Sequence, residues 1–245
     1  MTEEPLEIRL AAPGTESRRV WVTMRTPGHD FELAAGWMVH EGFCLPTDIH
    51  RIAYCTDVDL AGEEEYNVVT VTLSARPYRE PGARHAGHSS GSSACGVCGK
   101  DSISEALDVQ ARTRWPGAVP LPETVRRLPE IVREQQRVFG RTGGAHAAAL
   151  VSPDGDVLVV REDVGRHNAV DKVTGARVLA GEDSAAACLF VSGRAGFELV
   201  QKAVSSGVAS LVAVGAPTSL SVDLAKRSGL VLYGFTKSDR CVRYA

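Results

Sequence analysis

No stretch of this 245-residue chain holds as many as about 18 consecutive apolar residues, so a membrane-spanning helix is excluded. Met1-Thr2-Glu3-Glu4-Pro5 lacks a basic segment followed by an apolar one, which argues against a secretory signal. An excess of one charge is also missing. The 27 basic and 30 acidic residues leave a formal net charge of -3, so neither nucleic acid nor an anionic membrane is expected as the main partner. Internal repeats and coiled-coil heptads are absent, as are the GxxxxGK[ST] and GxGxxG fingerprints of nucleotide loops. What is present is 44% hydrophobic and 23% charged residues, which predicts a packed core. A mass of 26.1 kDa suits one large domain or two small ones. A chain of this size does not need its six cysteines as staples. Reduced thiols in a cytoplasmic setting are expected, with any paired cysteines serving chemistry or a metal.

The pattern along the chain predicts two units, residues 1–118 and 119–245. Residues 1–17 read as a frayed arm with one short edge strand. Arg18 to Arg25 alternates as a strand, and Asp30 is a candidate N-cap for a helix over 31–40 that Gly42 ends. Tyr66 to Leu73 is β-branched and alternating, hence a strand. Residues 76–94 are rich in Gly, Ser and Pro and read as a functional loop, followed by a short helix over 101–110. From Glu123 the texture changes. A helix over 123–139, kinked at Pro129, leads to a hairpin of strands 146–151 and 157–161 around Pro153-Asp154-Gly155. Helices over 166–179, 198–205 and 220–227 then alternate with strands over 187–192, 210–214 and 230–234. Short apolar strands between amphipathic helices imply a mostly parallel sheet covered on both faces. The fold class is therefore α/β: a three-layer C-terminal domain with a smaller N-terminal α+β domain.

Two constellations carry chemistry. Cys95 and Cys98 stand two residues apart after the loop. Such a pair can close a disulfide, supply half of a zinc site, or relay sulfur. Zinc would need two more ligands, and Cys55, His85, His88 and His146 form no second tight pair. A thioredoxin-like site would put the pair at the end of a buried strand, whereas a Gly/Ser-rich loop precedes it here. Two thiols without a role remain the bland reading, although unused thiols in a polar loop are an oxidation liability. A mobile loop suits a carrier that accepts a sulfane sulfur and presents it elsewhere. Lys100 and the start of the following helix would both lower a cysteine pKa. The second thiol could release the sulfur by attacking the persulfide.

The second constellation runs from Glu162 to Lys172 and places Arg166, His167, Asn168, Asp171 and Lys172 over two helical turns after a strand. Polar residues this dense at the end of a strand line ligand crevices in α/β sheets, and free helix N–H groups suit an anion. A solvated helix start with routine ion pairs is the alternative. Small-residue turns at Gly143-Gly144-Ala145-His146, Ser192-Gly193-Arg194 and Gly215-Ala216-Pro217-Thr218 could floor a phosphate or nucleotide site, with Arg194 supplying a bidentate contact. His40, Met38 and Cys188 are expected to be packing residues.

Taken together, these segments resemble the formate dehydrogenase accessory protein family, the sulfur carriers often called FdhD. The matching pieces include Met24-Arg25-Thr26-Pro27-Gly28, Cys95-Gly96-Val97-Cys98-Gly99, Glu162-Asp163-Val164-Gly165-Arg166-His167-Asn168-Ala169, Ser192-Gly193-Arg194 and Ala216-Pro217-Thr218, in order. The resemblance implies that Cys95 and Cys98 take persulfide sulfur from a cysteine desulfurase. It implies transfer of that sulfur to the bis-molybdopterin guanine dinucleotide cofactor of formate dehydrogenase, with guanine nucleotide as a mimic of the cofactor. It further implies a homodimer and a C-terminal domain like that of cytidine deaminases, without their zinc chemistry, since His146 is followed by Ala148 rather than by the glutamate of HxE. No metal site is expected. His146, Arg166, His167, Asn168, Lys172, Arg194 and Thr218 are the expected cofactor contacts. A non-catalytic cofactor chaperone is the rival from another class, and a zinc-dependent nucleotide hydrolase is a third reading.

Overall fold

The computed structural model describes residues 1–55, 66–80 and 113–245. The helix expected over 101–110 and the Cys95–Cys98 loop lie outside the described residues. The described chain forms a four-stranded sheet of order β2-β1-β4-β3 and a six-stranded sheet of order β10-β9-β8-β7-β5-β6.

In the first sheet the strands are β1 (Glu4–Ala12), β2 (Thr15–Arg25), β3 (Ile49–Tyr54) and β4 (Val68–Leu73). The expected N-terminal arm is therefore a full interior strand. Leu6, Ile8, Leu10 and Ala12 alternate inward and are all buried, a period-2 pattern obscured in the sequence by the polar residues around it. β1 pairs antiparallel with β2 and parallel with β4. β3, which the sequence reading left out, pairs antiparallel with β4. Helix α1 (Asp30–His40) covers this sheet, with Trp37 stacked on Trp21 at a centroid distance of 4.9 Å. Asp30 is not its N-cap. That position belongs to His29, in the left-handed region at φ 58°. The Asp30 carboxylate instead turns inward to meet the Arg25 guanidinium in two 3.0 Å bonds, and the Tyr54 hydroxyl donates to it at 3.1 Å. A buried arginine that can find a bidentate partner outcompetes a cap.

The second sheet comprises β5 (His146–Val151), β6 (Val157–Asp163), β7 (Cys188–Val191), β8 (Ser210–Ala213), β9 (Val231–Lys237) and β10 (Arg240–Arg243). It is mixed rather than mostly parallel. β7, β8 and β9 run parallel, while β6, β5 and β10 join antiparallel. The 146–163 hairpin reverses the chain within the sheet, and the final strand β10 folds straight back on β9. Helix α2 (Pro122–Gln135) covers one face through Val125, Leu128 and Val132, packed on Ala147, Ala149, Phe190 and Val212. Helices α4 (Arg166–Leu179), α5 (Phe197–Ser205) and α6 (Ser219–Ser228) cover the other through Val170, Leu199 and Leu224, packed on Leu150, Val191 and Leu211. The result is three layers, with alternate strand residues feeding opposite cores. The long helix expected over 123–139 breaks at Gln136, where the backbone leaves the helical region, and resumes as α3 (Arg137–Thr142). Pro129 sits inside α2 without ending it.

The two sheets are joined by α1 lying across α4. A Cβ on Gly36 would fall 1.9 Å from the Asp171 carbonyl oxygen, and one on Gly175 would fall 1.8 Å from the Glu32 carbonyl oxygen. The helices therefore touch backbone to backbone, a contact only glycine permits. Beside this crossing lies a buried cluster. Asp171 Oδ1 contacts His40 Nδ1 at 2.5 Å and accepts from Lys202 Nζ at 2.7 Å. His40 is thus more than a packing residue. Burial pushes its imidazole below the ordinary value, and the Lys202 charge adds to this against the opposing pull of Asp171. Burial alone would raise the Asp171 carboxyl, but Lys202 and His40 reverse that and hold it below the usual range.

Gly36→Ala and Gly175→Ala should each destabilise the protein by about 3 kcal/mol or more, because the intruding methyl meets backbone rather than a mobile side chain. Gly140→Ala, with nothing within 4 Å of the new methyl, should not destabilise it. Urea unfolding of the three variants checks this. A depressed imidazole pKa contributes stability that is present above the ordinary value of 6.5 and is lost as the pH falls below it. Thermal stability should therefore fall between about pH 7.5 and pH 5.5, one unit either side of that value. His40→Gln, which keeps a donor for Asp171 but does not titrate, should flatten that limb.

Candidate functional site: a crevice at the sheet edge

The parallel strands β7, β8 and β9 end on one edge of the six-stranded sheet, where antiparallel β5 begins and β6 finishes. The loops after β7 and β8 are zipped together there. Gly215 N donates to Gly193 O at 2.9 Å, Ala195 N to Ala216 O at 3.1 Å and Thr218 N to Ala195 O at 3.2 Å. Their small residues allow this. A Cβ on Gly215 would stand 3.0 Å from the Arg194 Cα. Phe235 N reaches Gly215 O at 3.0 Å, so the third strand end joins the same floor. Helices α4, α5 and α6 all start at this edge, and their free N–H groups and positive dipole ends make it favourable to anions.

His146 opens β5 and is half-buried, with its ring over Gly193 such that a methyl there would lie 3.5 Å from Nδ1. Its pKa is lowered, first by burial and then by the nearby charges of Arg166 and His167, with Asp163 opposing. The imidazole is therefore neutral at pH 7 and offers one donor and one acceptor. Arg166 is half-buried, Arg194 is exposed, and neither guanidinium has a partner among the described residues. His167 is buried, and its Nε2 contacts Glu198 Oε2 at 2.6 Å. Glu198 is a site residue that the sequence reading assigned no role. Its place in the first turn of a helix starting at the crevice was the available signal.

Three of the expected contacts are otherwise engaged. Lys172 is 1% exposed, and its ammonium is held by Asp163 Oδ2 at 2.6 Å and donates to Thr26 O at 2.9 Å. Asn168 is buried and donates to Met24 O at 2.8 Å and to Asp163 Oδ1 at 3.1 Å. Thr218 is the N-cap of α6, and its hydroxyl oxygen accepts from Ser221 N at 3.3 Å. Thr218 remains exposed with its O–H free to donate, but the other two face the end of β2. Asp163 is the hub of that arrangement. It also accepts from Gly165 N at 2.8 Å and Thr26 N at 3.2 Å, so the carboxylate meets four donors. The dense polar run thus serves two purposes. Its inward members staple the N-terminal sheet to the start of α4, and its outward members, Arg166 above all, face the crevice.

At the rim, Phe235 is 38% exposed with φ 50°, and the Arg240 guanidinium lies 5.8 Å from its ring centre. A non-glycine residue held in the left-handed region beside a crevice is a common signature of a functional position. Cys95 and Cys98 lie outside the described residues. Cys188 is buried and its thiol is pushed up to about 12 by that burial, which makes it unreactive as expected. Among the described residues no group of three or more His, Cys, Asp and Glu side chains is arranged to hold a metal ion.

Comparison with known proteins adds to this geometry. A family model described as FdhD/NarQ matches residues 1–245. The sulfur carrier protein FdhD of Streptomyces coelicolor is 47% identical over 100% of this chain and 86% of its own length. That of Mycobacterium tuberculosis is 44% identical over 97% of this chain and 86% of its own. A crystal structure from Desulfotalea psychrophila, of a protein described as a formate dehydrogenase accessory protein, superimposes with a TM-score of 0.75. It covers 99% of this chain and 86% of its own, at 22% identity, and so supports the fold.

The two classes of basic residue should separate experimentally. Lys172→Met leaves Asp163 buried without its ammonium and should cost about 3–5 kcal/mol of stability. Arg166→Glu with Arg194→Glu should leave the thermal midpoint nearly unchanged while weakening the binding of inorganic pyrophosphate, as a probe of the crevice's anion affinity, by at least about tenfold. Calorimetric unfolding and titration of the two proteins test the contrast.

Proposed function

The chain belongs to the FdhD/NarQ family, and we propose that it is a sulfur carrier that passes persulfide sulfur from a cysteine desulfurase to the bis-molybdopterin guanine dinucleotide cofactor of formate dehydrogenase. What supports the reading is a CxxC pair together with a crevice rimmed by helix N-termini and by Arg166 and Arg194, in a chain 47% identical to a sulfur carrier protein. In the first step the thiolate of Cys95 or Cys98 attacks the terminal sulfur of the donor's persulfide. A new S–S bond forms, the donor's S–S bond breaks, and the donor thiolate leaves. In the second, the partner thiolate attacks the inner sulfur of the carried persulfide. That closes a Cys95–Cys98 disulfide and releases hydrosulfide to the substrate, after which an external dithiol reduces the disulfide.

The crevice holds the substrate. Arg166 and Arg194 pair with its phosphates, helped by the N-termini of α4, α5 and α6. Neutral His146 and the Thr218 hydroxyl supply hydrogen bonds, and Phe235 offers a flat face to a purine. His167, fixed by Glu198, lies next to His146 and moves or holds a proton there. Asn168 and Lys172 act as positioning residues, since they set the turn that presents Arg166. The same reading takes residues 1–118 and 119–245 as the two domains, the latter cytidine-deaminase-like, in a cytoplasmic homodimer. A carrier of sulfane sulfur needs reduced thiols, which supports that location.

A chaperone that only binds the cofactor would not take up sulfur. Intact-protein mass spectrometry after incubation with a cysteine desulfurase and cysteine distinguishes the two. The expected result is an adduct of about 32 Da, one added sulfur, on the loop peptide, lost in Cys95→Ala or Cys98→Ala. An accessible, reduced loop that takes up no sulfur would favour the chaperone.

A further inference from the structure

β6 is the outermost strand of the six-stranded sheet; among the described residues no strand pairs with its outer edge, where Arg161 Nη1 donates to Val160 O at 2.8 Å. Edge strands are usually guarded by a proline, a lysine or a short length. β6 has seven residues and no proline, its charged residues Arg161, Glu162 and Asp163 are confined to its C-terminal end, and Leu158 near its start is 49% exposed. A groove of about 800 Å³ lies beside it. Consecutive residues Leu158 to Glu162 line this groove, a run of about 13 Å at the rise of a strand. The end of α2, helix α3 and the Thr26–His29 loop supply the remaining walls. A groove of that length along an open strand suits an extended chain better than a compact ion.

Charge narrows the occupant further. Arg137 and Arg141 stand one turn apart on α3, line the groove, are exposed, and have no ion-pair or hydrogen-bond partner among the described residues. Lys172 and Arg161, the other cations in the groove with a fixed charge, are paired with Asp163 and Glu32. His29 is partnered by Glu32. Of the two carboxylates lining the groove, Glu162 already accepts Val138 N at 2.8 Å and Phe139 N at 2.7 Å. Only Glu134 remains to oppose the two free guanidinium groups.

The geometry points to strand addition: an extended acidic peptide segment of a partner protein pairs with the outer edge of β6, and its carboxylates reach Arg137 and Arg141. Main-chain bonds supply affinity, and the arginines select acidic side chains. This inference does not rest on the sulfur-carrier reading and survives its failure. The test is fluorescence anisotropy of the full chain with a fluorescein-labelled Glu-Val-Glu-Val-Glu-Val-Glu peptide. Saturable binding is expected. It should weaken at least about tenfold in Arg137→Glu/Arg141→Glu, and by a similar factor when alternate backbone nitrogens of the peptide are methylated. Absence of binding overturns the proposal. So does equal binding of the methylated peptide, which would mean charge adhesion alone, or equal binding by the double variant. A dimer that sedimentation shows to be split by Leu158→Asp on β6 also overturns it, since the edge would then belong to the chain itself.

Discussion

The backbone contact between α1 and α4 is the constraint on which the rest of the molecule depends. α1 is roofed by one sheet and α4 by the other, so their crossing sets how the two sheets sit. Gly36 and Gly175 let each helix approach the other's carbonyl oxygens, at Asp171 and Glu32. Side chains at those points would force the helices apart. The separation would pull His40 from Asp171, and Thr26 from Asp163 and Lys172. The start of α4, which presents Arg166 and His167, is thus placed by a contact one to two turns further along the same helix.

Buried charge follows the same seam. Arg25 with Asp30, Glu32 with Arg161, Asp163 with Lys172 and Asp171 with Lys202 all lie at or near it. Burial alone would raise the Glu32 carboxyl, yet Arg161 and His29 bring it down to about 2. Desolvated pairs of this kind add little net stability, but losing one partner costs several kcal/mol. They specify rather than strengthen, because a slipped helix crossing would leave the buried Asp163 and Asp171 carboxylates without their ammonium partners. The cations left over, Arg166 and Arg194 at the crevice, stand outside this network and are available to a ligand.

Much of this was legible in the sequence. The strand and helix order from residue 146 onward follows the apolar runs, and the crevice residues sit in the turns where small and polar residues cluster. β1 reads in the sequence as a short edge strand rather than a full interior one because its inward residues are separated by charged ones and preceded by a proline that reads as a breaker. The sheet's mixed direction was missed because strand direction depends on connections rather than on local pattern. Asn168 and Lys172 looked like ligand contacts because helical spacing places residues on faces without saying which face is covered. The cover is the end of β2, more than 140 residues away in sequence. His40 looked like packing because a single histidine carries no local sign of partners contributed by α4 and α5.

On the function proposed above, sulfur is carried by Cys95 and Cys98 and passed to a cofactor held in the crevice at the strand ends. Transfer of radiolabelled sulfur tests it most directly, with a cysteine desulfurase as donor and cofactor-loaded formate dehydrogenase as acceptor. The Arg166→Glu/Arg194→Glu protein should load label as fully as the unsubstituted chain and pass little of it to the cofactor. Equal delivery by that variant would contradict the account, since the crevice would then have no part in presenting sulfur to its substrate.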